Sequence, residues 1–307
     1  FREIRRILGK LRRKINSYCF ETKLYLFHRN KQNILTGGGD RTENPQLIIS
    51  LTSYPKRNHI LHHTLYSLFT QNLKPNKIIL YLTTQEYPQH EANLPDKFLA
   101  FQHKGLEIKW VKENFKPYKK LVYALQDFPR DIIVTADDDT IYPSYWLERL
   151  YHAYTQAPQY IHAHRVHKIS LDKHNQPLPY NDWESCIDFR HTTPSFLHFF
   201  TGVGGVLYPP HSLGTQALDS KTFMGLCPTG DDIWFWAMAV CNDVKCNAVE
   251  NNIREITVLN ARATPMVYQS QQGQNDIQLQ NILTRFPQVK EKIVLENNLR
   301  KNTCKSP

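Results

Sequence analysis

The chain of 307 residues is 41% hydrophobic and 12% aromatic with only 12 glycines, which excludes a disordered, collagen-like or low-complexity protein. Its net charge is +10, but residues 1–31 hold ten cations against two acids, a local surplus of +8, so the rest of the chain is close to neutral. A protein that grips nucleic acid on its folded surface spreads basic charge over that surface, so no nucleic-acid partner is expected. No apolar run reaches the roughly 18 residues of a membrane span. The longest candidate, Phe196 to Pro210, is short and contains His198. No uncharged apolar stretch follows the basic start, so no signal peptide is expected. The six cysteines form no C-x2-C pair and read as free thiols of a reducing cytosol.

The first element, residues 1–30, is a basic amphipathic helix: Phe1, Ile4, Leu8, Leu11 and Ile15 recur at helical spacing, and Arg and Lys fill the other face. Such a helix suits an anionic membrane surface; packing on the body or on a partner is the alternative. Residues 31–45, with Gly37, Gly38 and Gly39, are a linker. From residue 46 to 265 the pattern alternates. Strands are predicted at Gln46–Leu51, Lys77–Leu82, Glu107–Val111 and Asp131–Ala136, and helices at Ile60–Phe69, Tyr118–Leu125 and Pro143–Tyr154. Strands separated by helices predict an α/β domain with a mostly parallel sheet flanked by helices on both faces. Residues 266–307 read as a C-terminal helical segment. Parallel sheets of this kind bind ligands at the carboxyl ends of their strands.

Asp137, Asp138 and Asp139 lie at the end of the fourth strand. Three adjacent carboxylates repel one another unless a cation neutralises them. Hard ions such as Mg2+ and Mn2+ take oxygen ligands and accept phosphates in their shell. In an extended segment Asp137 and Asp139 would point the same way, toward a metal–diphosphate, and Asp138 the other. An acidic turn before the next helix is the plainer alternative.

A strand ending in D-x-D after two or three βα units resembles the nucleotide-sugar glycosyltransferases of the GT-A fold, particularly the family-2-like bacterial enzymes. The resemblance covers roughly residues 46–245 and rests on the order of its motifs. Ile49-Ser-Leu-Thr-Ser-Tyr-Pro-Lys-Arg57 is similar to the family's first strand and nucleotide loop, which implies donor contacts from Thr52, Ser53, Tyr54 and Arg57. Phe115 to Leu121 resembles a segment near the nucleotide, with Lys116 where glycine is usual; it implies that Lys119 or Lys120 meets the diphosphate. The D-x-D resemblance implies that Asp139 and Asp137 hold Mn2+ or Mg2+, and that Asp137 and Asp138 also face the donor. Thr201 to Leu207 resembles the segment beside the donor sugar, which implies roles for Gly204 and Gly205. Gly230-Asp231-Asp232 resembles the acidic motif at a helix start. It implies Asp232 as the base of an inverting transfer, with Asp231 orienting the acceptor. Each motif also has a plain structural alternative: a polar loop, a solvated helix face, a tight turn, or helix N-capping by Asp231 or Asp232.

Many family members supply a late histidine to the metal. Residues 256–268 contain none, so a metal would rest on the aspartates, the diphosphate and water. His162, His164 and His167 read as packing and hydrogen-bonding residues. Asn181, Asp182 and Trp183 form a polar-aromatic loop that could belong to the acceptor site. The expected function is metal-dependent transfer of a sugar from a nucleotide-diphosphate donor, a UDP-sugar, to a glycan or lipid-linked glycan, with inversion, in bacterial capsule or lipopolysaccharide synthesis. The expected place is the cytoplasmic face of the membrane. The rival readings are a nucleotidyltransferase of related sheet plan and a non-catalytic, membrane-associated glycan-binding protein. The first would want a glycine-rich loop that SLTSYPKR lacks; the second fits poorly with two intact acidic clusters.

Overall fold

The computed structural model describes residues 21–27, 45–188, 193–249, 257–259 and 273–303. Strands buried on both faces carry near-continuous apolar runs. That is the character of β1 (Leu47–Thr52), β2 (Lys77–Thr83) and β4 (Ile132–Thr135), whereas β3 (Leu106–Val111) is half-buried, as suits an edge strand. With β6 (Ile161–Ala163), β9 (Val206–Tyr208) and β10 (Cys246–Ala248), these strands form a seven-stranded sheet ordered β10-β6-β9-β4-β1-β2-β3. All pairings are parallel except those of β9, which runs antiparallel to both β4 and β6. The expected fold class, a mostly parallel sheet flanked by helices, is the fold observed.

Alternate strand residues face opposite layers. Ile48, Ile79 and Ile133 pack into one layer with α4 (Lys119–Asp127), α6 (Ser220–Leu226), α7 (Asp231–Cys241) and α8 (Gln274–Arg285). Ile49, Ile78 and Val134 pack into the other, with α2 (Leu61–Phe69), α3 (Asp96–Gln102) and α5 (Trp146–Gln156). Each fully buried Leu, Ile or Phe contributes ~1.5–3 kcal/mol, and two such layers hold the fold without cross-links. Cys186, Cys227, Cys241 and Cys246 are free thiols; Cys19 and Cys304 lie outside the described residues.

The C-terminal helices pack into the core. From α8 and α9 (Pro287–Thr303), Leu279, Ile282, Phe286, Val289 and Ile293 enter the same core as α7. At the other end, residues 1–20 and 28–44, which hold most of the expected helix (1–30) and linker (31–45), lie outside the described residues. The helical segment α1 (21–27) docks through buried Leu24, and through Phe27 against Tyr66 and Phe101, with ring centroids 5.1 and 5.7 Å away. No described helix is long and apolar enough to cross a membrane.

Strand order fixes where a ligand can enter. β1 lies between β2 and β4, so the chain leaves β1 in one direction and returns on its other side after β3. The crevice at such a reversal opens at the carboxyl ends of the strands. The antiparallel course of β9 brings its approach, Thr201 to Gly205, to that same rim.

Candidate active site

A cleft of about 860 Å3 occupies this crevice. The β1 loop supplies Thr52, Ser53, Tyr54 and Arg57; the β4 turn supplies Asp137, Asp138 and Asp139; α4 supplies Lys119 and Lys120; and the start of α7 supplies Asp231 and Asp232. Residues far apart in sequence therefore share one cavity.

The three aspartates are not extended. The chain turns at Asp138 and Asp139, and each carboxylate has its own partner. Asp137 Oδ1 lies 2.8 Å from Lys120 Nζ, Asp138 Oδ2 accepts from Ser53 Oγ at 2.5 Å, and Asp139 Oδ2 lies 2.7 Å from Arg57 Nη1. The last contact is ionic, without hydrogen-bond alignment. The expectation that Asp137 and Asp139 face alike is thus corrected, because the turn separates their partners. The turn is braced from behind. Tyr142 Oη accepts from Asp137 N at 2.9 Å, Thr64 Oγ1 donates to Asp138 O at 3.1 Å, and Leu259 N donates to Asp139 O at 2.7 Å. Leu259 follows β11 (Thr257–Val258), which pairs with β5 (Thr140–Ile141).

Burial pushes the Asp138 carboxyl up to about 7, against the Ser53 hydrogen bond and the Arg57 charge. Burial also raises Asp139, and repulsion from Asp137 adds to it. Crowded, all-oxygen donors of this kind fit a hard divalent cation. Asp137 and Asp139 are the residues that would hold it, completed by phosphate oxygens and water. The described His/Cys/Asp/Glu trio whose ligand atoms already converge, within 4.8 Å, is elsewhere: Glu21, His62 and His63.

Lys120 joins the two acidic clusters. Its Nζ stands 2.8 Å from Asp137 and 3.2 Å from Asp231 Oδ2. Ser50 Oγ, inside β1, donates to Lys120 O and so ties the start of α4 to the sheet. Burial alone would lower the lysine, but Asp137, Asp231 and Asp232 hold its ammonium well above the ordinary range. Lys119 points elsewhere. It is buried, its Nζ lies 2.8 Å from Glu86, and burial outweighs that partner to lower it. Lys116 takes a left-handed φ of 53°, a conformation that glycine adopts most easily. Its N–H donates to Asn114 Oδ1 at 3.1 Å.

Asp231 and Asp232 begin α7, but neither caps it. The N-cap is Gly230, without a side-chain cap bond. Both oxygens of Asp232 instead accept from Gly202 N, each at 3.1 Å. Asp231 is buried, while Asp232 keeps some surface open to the cleft although protein closely surrounds it. Burial raises Asp231 despite Lys120. Burial, with repulsion from Asp231, pushes Asp232 up to about 7.

The glycine segment works differently from expectation. Gly204 and Gly205 do not line the cleft. A Cβ on Gly204 would meet Arg165 at 2.6 Å, and one on Gly205, at φ 86°, would meet the Trp146 ring at 2.4 Å. Both let the loop pack closely. Gly202 does not line the cleft either, but it abuts the site's charged groups: a Cβ there would lie 2.9 Å from Lys120 Nζ and 3.2 Å from Asp232 Oδ1. The polar-aromatic loop is corrected likewise. Trp183 is buried, its Nε1 donates to Leu178 O at 2.8 Å, and its ring packs on Phe199, so it is not free to stack on a sugar. Asn181 lines the cleft, with Tyr180 beside it, and Asp182 does not.

Two residues at or beside the cleft escape sequence reasoning. Arg165 lines the cleft and donates to Thr201 Oγ1 at 2.9 Å. Gln278, buried in α8, accepts from Thr229 N at 3.0 Å and Gly230 N at 3.1 Å, and so holds the turn that launches Asp231 and Asp232. No local motif marks either. The histidines are structural, as expected. His162 Nε2 bonds Ala157 O, His164 Nε2 bonds Trp146 O, and His167 Nδ1 accepts from Cys186 N. Burial lowers His162 and His167 to about 4.

No protein-family model and no curated protein matches the chain. Among solved structures it is similar to a mannosyltransferase from Pyrobaculum calidifontis in complex with GDP-Man and Mn2+ (TM-score 0.43, 11% identity), over 77% of this chain and 65% of that one. It is also similar to the inositol-1-phosphate CTP transferase from T. maritima (TM-score 0.41, 11% identity), over 77% of this chain and 95% of that one. The chain thus spans less than two thirds of the mannosyltransferase. These are likenesses of chain path alone.

Proposed function

We propose that this chain is an inverting glycosyltransferase that moves a sugar from a nucleotide-diphosphate donor, a UDP-sugar, to the hydroxyl of a glycan acceptor. The observation that carries the reading is Asp232. It is a carboxylate pushed by burial to about 7, fixed by one backbone amide, and set in the same cleft as a strand-end aspartate turn. An acceptor hydroxyl barely ionises at neutral pH, so a base must take its proton as it attacks. A base serves best when its pKa lies near the working pH.

In this reading the β1 loop and Tyr54 receive the nucleotide, and Arg57 and Lys120 face the diphosphate. The acceptor oxygen forms its bond to the sugar carbon, its proton passes to Asp232, and the bond from that carbon to the diphosphate oxygen breaks. Asp231, against Lys120, keeps the ammonium between the base and the leaving group. Asp139 and Asp137 would hold a divalent cation, which supplies neutralisation of the charge developing on the diphosphate.

The test is thermal stabilisation of the full chain by a panel of nucleotide sugars, with and without Mn2+. A ligand bound only by the folded state raises apparent stability. Stabilisation by one donor, strengthened by Mn2+ and lost in Asp139→Ala, is expected. Full transfer activity in excess EDTA would sink the metal-dependent part.

The setting we propose is synthesis of bacterial capsule or lipopolysaccharide at the inner face of the cytoplasmic membrane, on a glycan or lipid-linked glycan, with the basic residues 1–30 against anionic lipid. Seven cations in residues 1–14 support it, each contributing about 1 kcal/mol near such a surface. Liposome flotation of the full chain and of a chain starting at Asn44 tests it; equal binding would remove the helix from the reading.

A further inference from the structure

The cations of the cleft divide into two kinds. Arg57 is matched by Asp138 and Asp139, Lys119 by Glu86, and Lys120 by Asp137 and Asp231. Arg165 and Lys116 also line the cavity and are matched by no carboxylate among the described residues; Lys116 belongs to the segment that leads into α4, and Arg165 to a different wall. A guanidinium carries five N–H donors and keeps its charge at any physiological pH. One of these donors is engaged, at Thr201 Oγ1.

Arg165 is also held in place. Thr201 N donates to Arg165 O at 3.0 Å, so Thr201 meets both the backbone and the guanidinium of Arg165. Gly204 has no side chain to push it away, since a Cβ there would meet Arg165 N at 2.7 Å and Arg165 Cβ at 2.6 Å. The glycine expected to touch a sugar instead seats an arginine. A charged group fixed before binding loses less freedom when its ligand arrives.

Its location indicates which ligand. The cations that can meet a donor diphosphate come from the β1 loop and α4. Arg165 comes from the connection between β6 and β7 (Val166–Lys168), and β7 pairs with β8 (His198–Phe200). This wall of the cleft carries Tyr180, Asn181 and Phe199. Thr201, the partner of Arg165, is followed by Gly202, whose amide holds Asp232. An anion on Arg165 would therefore lie next to the base that takes the acceptor's proton.

We propose that Arg165 binds an anionic group of the acceptor, a sugar carboxylate or a phosphate, close to the attacking hydroxyl. The proposal rests on the transferase reading and names the chemical class of its acceptor.

The experiment measures binding of glucose, glucuronic acid and glucose 6-phosphate to the full chain saturated with UDP, by calorimetry or ligand-observed NMR. At least one charged probe should bind about tenfold or more tighter than glucose, since a hydrogen bond to a charged group is worth that much. Which charged probe wins distinguishes carboxylate from phosphate. Arg165→Gln should abolish the preference with UDP affinity unchanged, and Arg165→Lys should restore part of it. Equal binding of all three probes would overturn the proposal, as would a preference that survives in Arg165→Gln. A preference for UDP-glucuronic acid over UDP-glucose that Arg165→Gln removes would put the charge on the donor and equally overturn it. Failure of the wild-type chain to bind UDP or any nucleotide sugar would instead overturn the transferase reading, and is separately visible because the probe comparison can be made without UDP.

Discussion

The backbone amide of Gly202 donates to both carboxylate oxygens of Asp232, each at 3.1 Å. One hydrogen is shared between two acceptors, so the carboxylate is fixed in place and only weakly stabilised in its charged form. Its pKa accordingly stays raised, by burial and then by Asp231, to about 7.

Asp232→Asn keeps an oxygen for the Gly202 amide and loses the base. Transfer should fall by about 10²–10⁴, while nucleotide-sugar binding, read by thermal shift, stays within a few-fold of wild type. In the wild-type chain kcat/KM for the proposed transfer should rise with pH through about 7, as Asp232 ionises. A profile that is flat from pH 6 to 8, or normal turnover by the variant, would remove Asp232 from the mechanism.

The same raised pKa has a consequence for stability. The ordinary carboxyl value is 3.8, so between about 4 and 7 the folded state holds a proton that the unfolded state has released. Stability contributed at this residue is therefore present at low pH and lost as pH rises across that window. Asp232→Asn should be more stable than wild type at pH 8, by on the order of 1 kcal/mol or a few degrees, with a smaller gain at pH 5. Urea midpoints at the two pH values, without divalent cations, measure this. A variant less stable at pH 8 than at pH 5, relative to wild type, would contradict it.

Lys120 is the shared counter-ion of Asp137 and Asp231. Lys120→Met leaves these acids facing one another in a closed space. Breaking a buried pair from one side costs about 3–5 kcal/mol, and the denaturation midpoint should drop accordingly. Adding Asp231→Asn should recover a substantial part of the loss. No recovery in the double variant would show that the lysine contributes through packing instead.

Two glycines three residues apart should fail in different ways. Gly202→Ala places a methyl 2.9 Å from the flexible end of Lys120. The lysine can give way, so the fold should survive while kcat drops at least about tenfold. Gly205→Ala faces the rigid Trp146 ring at 2.4 Å with φ at 86°. There the loss should be in stability, at least about 1–3 kcal/mol. Parallel measurement of Tm and kcat separates the two; matching behaviour would refute the distinction.

Gln278 ties the C-terminal helices to the turn before Asp231 and Asp232. Its Oε1 accepts from the amides of Thr229 and Gly230, and its Nε2 donates to Thr229 Oγ1 at 3.0 Å. Gln278→Leu should cost about 1 kcal/mol by removing the acceptor of two part-buried amides. It should also lower kcat more than donor affinity, because the turn it frees leads into Asp231 and Asp232. Unchanged kcat at full folding would make Gln278 a purely structural residue.

The sequence by itself determined the sheet's parallel half and the order of the acidic clusters. Runs such as Leu47-Ile-Ile-Ser-Leu51 and Ile132-Ile-Val-Thr135 are buried on both faces, and a strand so buried has few alternatives to apolar residues, which makes it legible. The aspartates at its end are legible for the complementary reason, since like charges persist beside an apolar strand only where something offsets them. β6, β9 and β10 are three residues each, too short for any periodicity to show, so the antiparallel return of β9 was not to be read. Tertiary structure alone decided what each side chain meets. It set Gly202 against Lys120 and Asp232 and made Gly204 and Gly205 packing glycines, buried Trp183, brought Lys120 between two acidic clusters more than ninety residues apart, and placed Arg165 and Gln278 against the segments that hold Asp232. A side chain's chemistry is written in its own residue, but its pKa, its partner and its freedom to move belong to atoms that the chain brings near from elsewhere.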